Sequence, residues 1–182
     1  MSLPRIACFH GGGSNARIHM VQCRRLQREL QHEFEFVYFE APFARGPGPD
    51  VLPAFKDYGP YKTWFTSVND TSGFDDSTGE DGIERVWNMM ITETEKSGEE
   101  WNWVGALGFS QGTRVVGGLL LDQQRRKSHY DLLGQSFMSE EASGMGSLKF
   151  GVLCMGSGAP MQPEAASDLM SGYHLRQYMF MG

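Results

Sequence analysis

The chain alternates between short unbroken apolar runs and longer stretches in which apolar residues return every three or four positions. The first run, Arg5 to Phe9, has the length of a buried strand and closes at His10-Gly11-Gly12-Gly13. A helix is predicted next: Ser14 or Asn15 caps it, and Ile18, Val21, Leu26 and Leu30 form an apolar stripe among Arg24, Arg25, Arg28 and Glu29. A second run, Phe34 to Phe39, ends at Glu40. Together they read as a β-α-β unit, which puts the chain in the α/β class with a mostly parallel sheet.

Between Ala41 and Gly82 no period survives. Ala41-Pro42-Phe43, Gly46-Pro47-Gly48-Pro49, Pro53 and Gly59-Pro60 interrupt any long element, so this stretch is expected as a turn-rich excursion on the carboxyl side of the second strand. Its aromatics Phe55, Tyr58, Tyr61, Trp64 and Phe65 either line an apolar pocket or pin the loop to the body. Asp70, Asp75, Asp76, Glu80 and Asp81 lack calcium-loop spacing and read as a solvated surface loop. Helical spacing resumes with Ile83, Val86, Trp87, Met90, Ile91 and Thr94, ends at Lys96 and is stopped by Gly98. A strand follows, then a helix expected to run to about Arg126. Gln123 to Gly146 reads as a polar connection, and Phe150 to Met155 as the next strand.

Composition narrows the setting. With 182 residues, 40% of them hydrophobic, the chain is expected to form one domain with a proper core. Its net charge is −6, with no basic block, which argues against nucleic acid or an anionic membrane surface as partner. Cys8, Cys23 and Cys154 cannot all pair within one chain, and their spacings do not suit a metal cluster. Without a leader pattern or a membrane-length apolar window at hand, a cytoplasmic location is expected.

The candidate chemistry centres on Val104 to Gly112, VGALGFSQG: a β-prone run leading through Gly-x-Ser-x-Gly into a helical pattern. A serine on so sharp a turn needs small neighbours at Gly108 and Gly112. The turn lifts the Ser110 hydroxyl above the sheet and aims the Gln111 N–H at the oxygen of an attacked carbonyl. A rival reading uses Gly11, Gly13 and Ala16 as a dinucleotide fingerprint, with Glu40 on a ribose hydroxyl. The two differ on one point. A hydrolase needs both glycine-rich turns at the same end of the sheet, facing each other, and the second turn favours that reading.

Taken in order, CFHGGGSN, FEFVYFEAPF, GPYKTWF, GALGFSQG and FGVLCMGSGAP resemble the fungal serine hydrolases of the α/β-hydrolase superfamily, which include the polyketide-releasing thioesterases of the lovastatin type. The resemblance runs from Arg5 to about Pro160. It implies an α/β-hydrolase three-layer sandwich and an esterase or thioesterase of secondary metabolism acting on acyl esters or thioesters, with a polyketide synthase carrier domain as a possible partner. It also implies Ser110 as nucleophile, the Gln111 and Gly12 N–H groups as oxyanion hole, and no cofactor.

The chain departs from that family after the nucleophile. The triad order is Ser, then Asp or Glu, then His, each on a loop after a later strand. Only 28 residues follow Cys154, and a strand with its crossover helix takes roughly thirty. The expectation is therefore a C-terminally incomplete domain over 1–182. His129 and His174 are the histidines that follow Ser110, and His10 reads as a support for the oxyanion loop. Three outcomes remain: a truncated form of an active hydrolase, an inactive relative that binds acyl chains, or a chain completed by a partner. An exposed edge on the Phe150 strand would also favour self-association.

Overall fold

The structure, a computed structural model, describes residues 2–49, 51–65, 79–98, 100–133 and 148–154. Four parallel strands form the main sheet: β1 (Arg5–Phe9), β2 (Glu35–Phe39), β5 (Trp103–Phe109) and β6 (Phe150–Cys154), in the order β2-β1-β5-β6. Every residue of β1 is buried, as befits a strand with neighbours on both edges and helices on both faces. Its alternation splits the core. Ala7 and Phe9 face α3 (Gly79–Ser97) and α4 (Gln111–Leu133), in a cluster with Val86, Trp87, Met90, Val115 and Leu119. Ile6 and Cys8 face the other way, with Leu107, toward Cys23 and Tyr38. The result is a three-layer α/β sandwich, and each fully buried Phe9 or Met90 contributes about 2–3 kcal/mol of apolar transfer.

The first crossover starts where the sequence suggests, but of the expected apolar stripe only Ile18 is buried, while Val21 and Leu26 are exposed. Asn15 caps α1 (Ala16–Gln22) by accepting the Ile18 N–H at 2.8 Å. The predicted single helix is divided at Cys23, after which α2 (Arg24–Leu30) continues, with none of its residues buried. Gly98 adopts φ +66 and ends α3, as its position in the sequence suggests.

Three expectations need correction. The stretch after Ala41 does contain regular structure: β3 (Phe43–Arg45) and β4 (Tyr61–Thr63) pair antiparallel, with a short 3-10 helix, Lys56–Tyr58, between them. Three-residue strands are too short to show a period. The nucleophile helix also does not stop near Arg126 but reaches Leu133. Its second half is polar because it is built from strong helix formers rather than core residues. Asp122 accepts from Trp87 Nε1 at 2.7 Å and from Arg126 Nε at 2.6 Å. Gln123 grips the start of β6 through both the N–H and the carbonyl of Leu148. Glu80 and Asp81 likewise belong to α3 rather than to a loop, while Asp70, Asp75 and Asp76 lie outside the described residues.

Among the described residues no helix is long and apolar enough to cross a membrane, and no three His, Cys, Asp or Glu side chains are grouped to hold a metal ion.

Candidate active site

The strand order changes direction at the centre of the sheet. From β1 the chain moves outward to β2, and it returns on the opposite side of β1 as β5. The carboxyl ends of β1 and β5 therefore lie side by side at a topological switch point, where α/β sheets open a crevice. Both glycine-rich turns start there.

Ser110 joins β5 to α4 with φ 48, the one non-glycine residue with positive φ among those described. Tight packing enforces this. A Cβ on Gly108 would collide with the Gly112 carbonyl, and a Cβ on Gly112 would collide with the Phe9 carbonyl of β1. The turn is closed by Thr113, whose N–H and hydroxyl both donate to the Ser110 carbonyl, at 3.0 and 2.6 Å. Ser110 itself remains half-exposed.

The first turn lies against the second. A Cβ on Gly11 would stand 3.3 Å from Ser110 Cβ, and one on Gly12 would stand 3.0 Å from Gln111 Oε1. Hence the Gly11–Gly12 turn packs directly against Ser110 and the Gln111 side chain. His10 is fully buried: Nδ1 donates to the Gly11 carbonyl at 2.7 Å and Nε2 accepts the Ala41 N–H at 3.1 Å, while Glu40 Oε1 stands 3.2 Å from Nε2. It supports the loop.

The geometry disfavours the dinucleotide reading. The turn at Gly13 (φ +72) is covered by backbone, since a Cβ there would strike Gly48, and the Gly48 N–H donates to the Gly13 carbonyl at 2.9 Å. A pyrophosphate would have to displace that segment.

Sequence reasoning missed the role of the Gln111 side chain. Its Oε1 accepts the Trp64 N–H at 3.0 Å and lies 3.0 Å from the Thr63 hydroxyl, which fastens the end of β4 to the elbow. Lys62 bonds through its backbone to Gly13 and Ser14, completing the stitching of the glycine loop to the hairpin. The open question about the aromatics resolves by residue. Tyr61 donates to the Phe55 carbonyl at 2.7 Å, and Phe55 packs edge-on to Tyr58, so these pin the loop. Trp64 is buried against Phe9, donates from Nε1 to the His10 carbonyl at 2.8 Å, and also lines a small crevice with Pro42, Val86, Met89 and Val115.

Of the remaining histidines, His19 is buried against Tyr38 and Phe109, and burial chiefly, with His10 adding to it, lowers its pKa to about 4. Burial likewise pushes the Cys8 thiol well up. Among the described residues no histidine is hydrogen-bonded to the Ser110 hydroxyl. His129 falls within α4 but its side chain is outside the described residues, as is the whole of His174.

A parallel sheet flanked by helices, with a strained serine at its switch point, is the framework of an α/β hydrolase. The family profile described as "Serine hydrolase (FSH1)" matches residues 1–179, and the chain belongs to that family. It is similar to Esterase dbaE of Emericella nidulans, 38% identical over 173 residues that make up 92% of this chain and 58% of that one. It is also similar to Esterase pigG of Monascus ruber, 42% identical over 127 residues, 69% of this chain and 46% of that one. The chain thus spans about half the length of these relatives. The crystal structure of Arabidopsis thaliana SOBER1 matches with a TM-score of 0.40 and 21% identity, covering 66% of this chain and 56% of that one.

Proposed function

We propose that this chain carries the nucleophile and oxyanion hole of an esterase or thioesterase, with Ser110 as the attacking group. The observation that carries the reading is the positive φ of Ser110 at the end of β5, with the Gly11–Gly12 turn packed against it. Ser110 Oγ adds to the acyl carbonyl, and the Gln111 and Gly12 N–H groups take the charge that develops on its oxygen. Loss of the alcohol or thiol leaves an acyl-enzyme that water clears. The proton of Ser110 needs a base, and His129, His174 or a partner chain are the sources consistent with the sequence. Without one, only roughly 10³ to 10⁴ of acceleration over water would remain.

Esterase names among the relatives support acyl esters as the substrate class. The resemblance to polyketide-releasing enzymes extends the reading to carrier-bound thioesters. The buried Cys8 thiol, which is in no disulfide, favours a reducing, cytoplasmic setting. Among the described residues β6 has a partner strand on one edge, β5, and pairing of two chains along the other edge is the corresponding proposal for self-association.

The test is hydrolysis of a naphthyl ester and an acyl thioester by the purified chain and by Ser110→Ala. The reading expects a loss of at least about 100-fold on both substrates in the variant. Equal rates in the two proteins would overturn it.

A further inference from the structure

Arg45 ends β3, opposite Tyr61 across the hairpin. Its Nη1 lies 3.2 Å from the point where a Gly12 Cβ would stand, and Gln111 Oε1 lies 3.0 Å from that same point. The guanidinium therefore borders both residues assigned to the oxyanion hole. Its base is fixed, because Gly48 is bonded to Gly13, and Gly13 to Lys62, through the backbone. Its head is exposed, and among the described residues it has no hydrogen-bond, ion-pair or ring partner.

Other arginines contrast with it. Arg5 pairs with Glu35, Arg126 with Asp122, Arg17 lies over Tyr58 and Arg85 over Phe43. Among the described residues Arg45 stands without a partner beside Gly12, in a chain whose net charge is −6. A planar fork of N–H donors in that position matches a carboxylate, and a substrate that is neutral around its carbonyl leaves it without a function.

We propose that Arg45 is a specificity-determining residue that binds a carboxylate carried by the substrate close to the scissile carbonyl. This rests on the reading of Ser110 given above. The carboxylate belongs either to the acyl group or to the leaving group, and the two sources are separable by experiment.

Three unreactive amides serve as probes: the naphthylamide of butyric acid, the naphthylamide of glutaric acid with its free carboxylate, and butyryl-aminobenzoate, which carries the carboxylate on the other side. Binding to the full chain and to Arg45→Gln is measured by tryptophan fluorescence. One of the two acids is expected to bind about fivefold tighter than the neutral amide. That preference disappears in Arg45→Gln, is reduced in Arg45→Lys, which keeps the charge but not the planar fork, and fades as salt rises. Which acid shows it identifies the source. Equal binding of all three probes, or a preference that survives Arg45→Gln, overturns the proposal. Because binding needs no reaction at Ser110, these outcomes are independent of whether Ser110 is the nucleophile, which hydrolysis by Ser110→Ala decides separately.

Discussion

The side-chain oxygen of Gln111 accepts the backbone N–H of Trp64 at 3.0 Å, so the residue following Ser110 is fastened to the end of the β3–β4 hairpin. Its backbone N–H is the group proposed for the oxyanion hole, while its side chain holds the neighbouring loop. Gln111→Met would leave the Trp64 N–H without its acceptor at a cost of about 1–3 kcal/mol, measured by urea denaturation. Gln111→Glu keeps an acceptor oxygen and should lose less than half as much. Equal losses in the two variants would mean that the bond contributes little.

Close backbone approach at the elbow predicts an asymmetry between two glycines. A Cβ on Gly112 meets the Phe9 carbonyl of the central strand, which cannot yield, whereas Gly46 has nothing within 4 Å of that position. Gly112→Ala should cost about 3 kcal/mol, and Gly46→Ala should stay within about 0.5 kcal/mol of the parent. Thermal denaturation of both variants checks this, and similar midpoints would contradict the packing described.

His19 makes stability depend on pH in a defined direction. Its folded pKa is lowered to about 4, below an unfolded value of about 6.5, chiefly by burial. Below the unfolded value the unfolded chain binds more protons, so stability is fully present above about pH 6.5 and is lost as pH falls toward 4. Between about pH 7.5 and pH 5 the loss from this group is roughly 2 kcal/mol. In His19→Leu the fall in denaturation free energy over that range should be smaller by that amount. An unchanged fall would show that His19 does not titrate as a buried neutral group.

The sheet and the two glycine turns were legible because each rests on a local signal: unbroken apolar runs for β1, β2, β5 and β6, and glycines where backbone approaches backbone. The hairpin of β3 and β4 was not, since three residues cannot display a period and its stability comes from stitching to Gly13 and Ser14. The length of α4 was missed for a related reason. The residues from Gln123 onward look like a connection, yet the Gln123 side chain anchors the helix to Leu148. At the site, Ser110 and Gln111 were named from the motif, and Gly12 from the family resemblance. The clamp from the Gln111 side chain and the place of Arg45 depend on contacts across 47 and 33 positions of sequence, which no motif encodes.

The most direct test of the central claim is labelling with a fluorophosphonate probe, read by intact mass and peptide mapping on the purified chain and on Ser110→Ala. The account predicts one adduct per chain, located on Ser110 and absent from the variant. A folded chain that takes up no probe, or one labelled equally in Ser110→Ala, would contradict the assignment of Ser110 as an activated nucleophile.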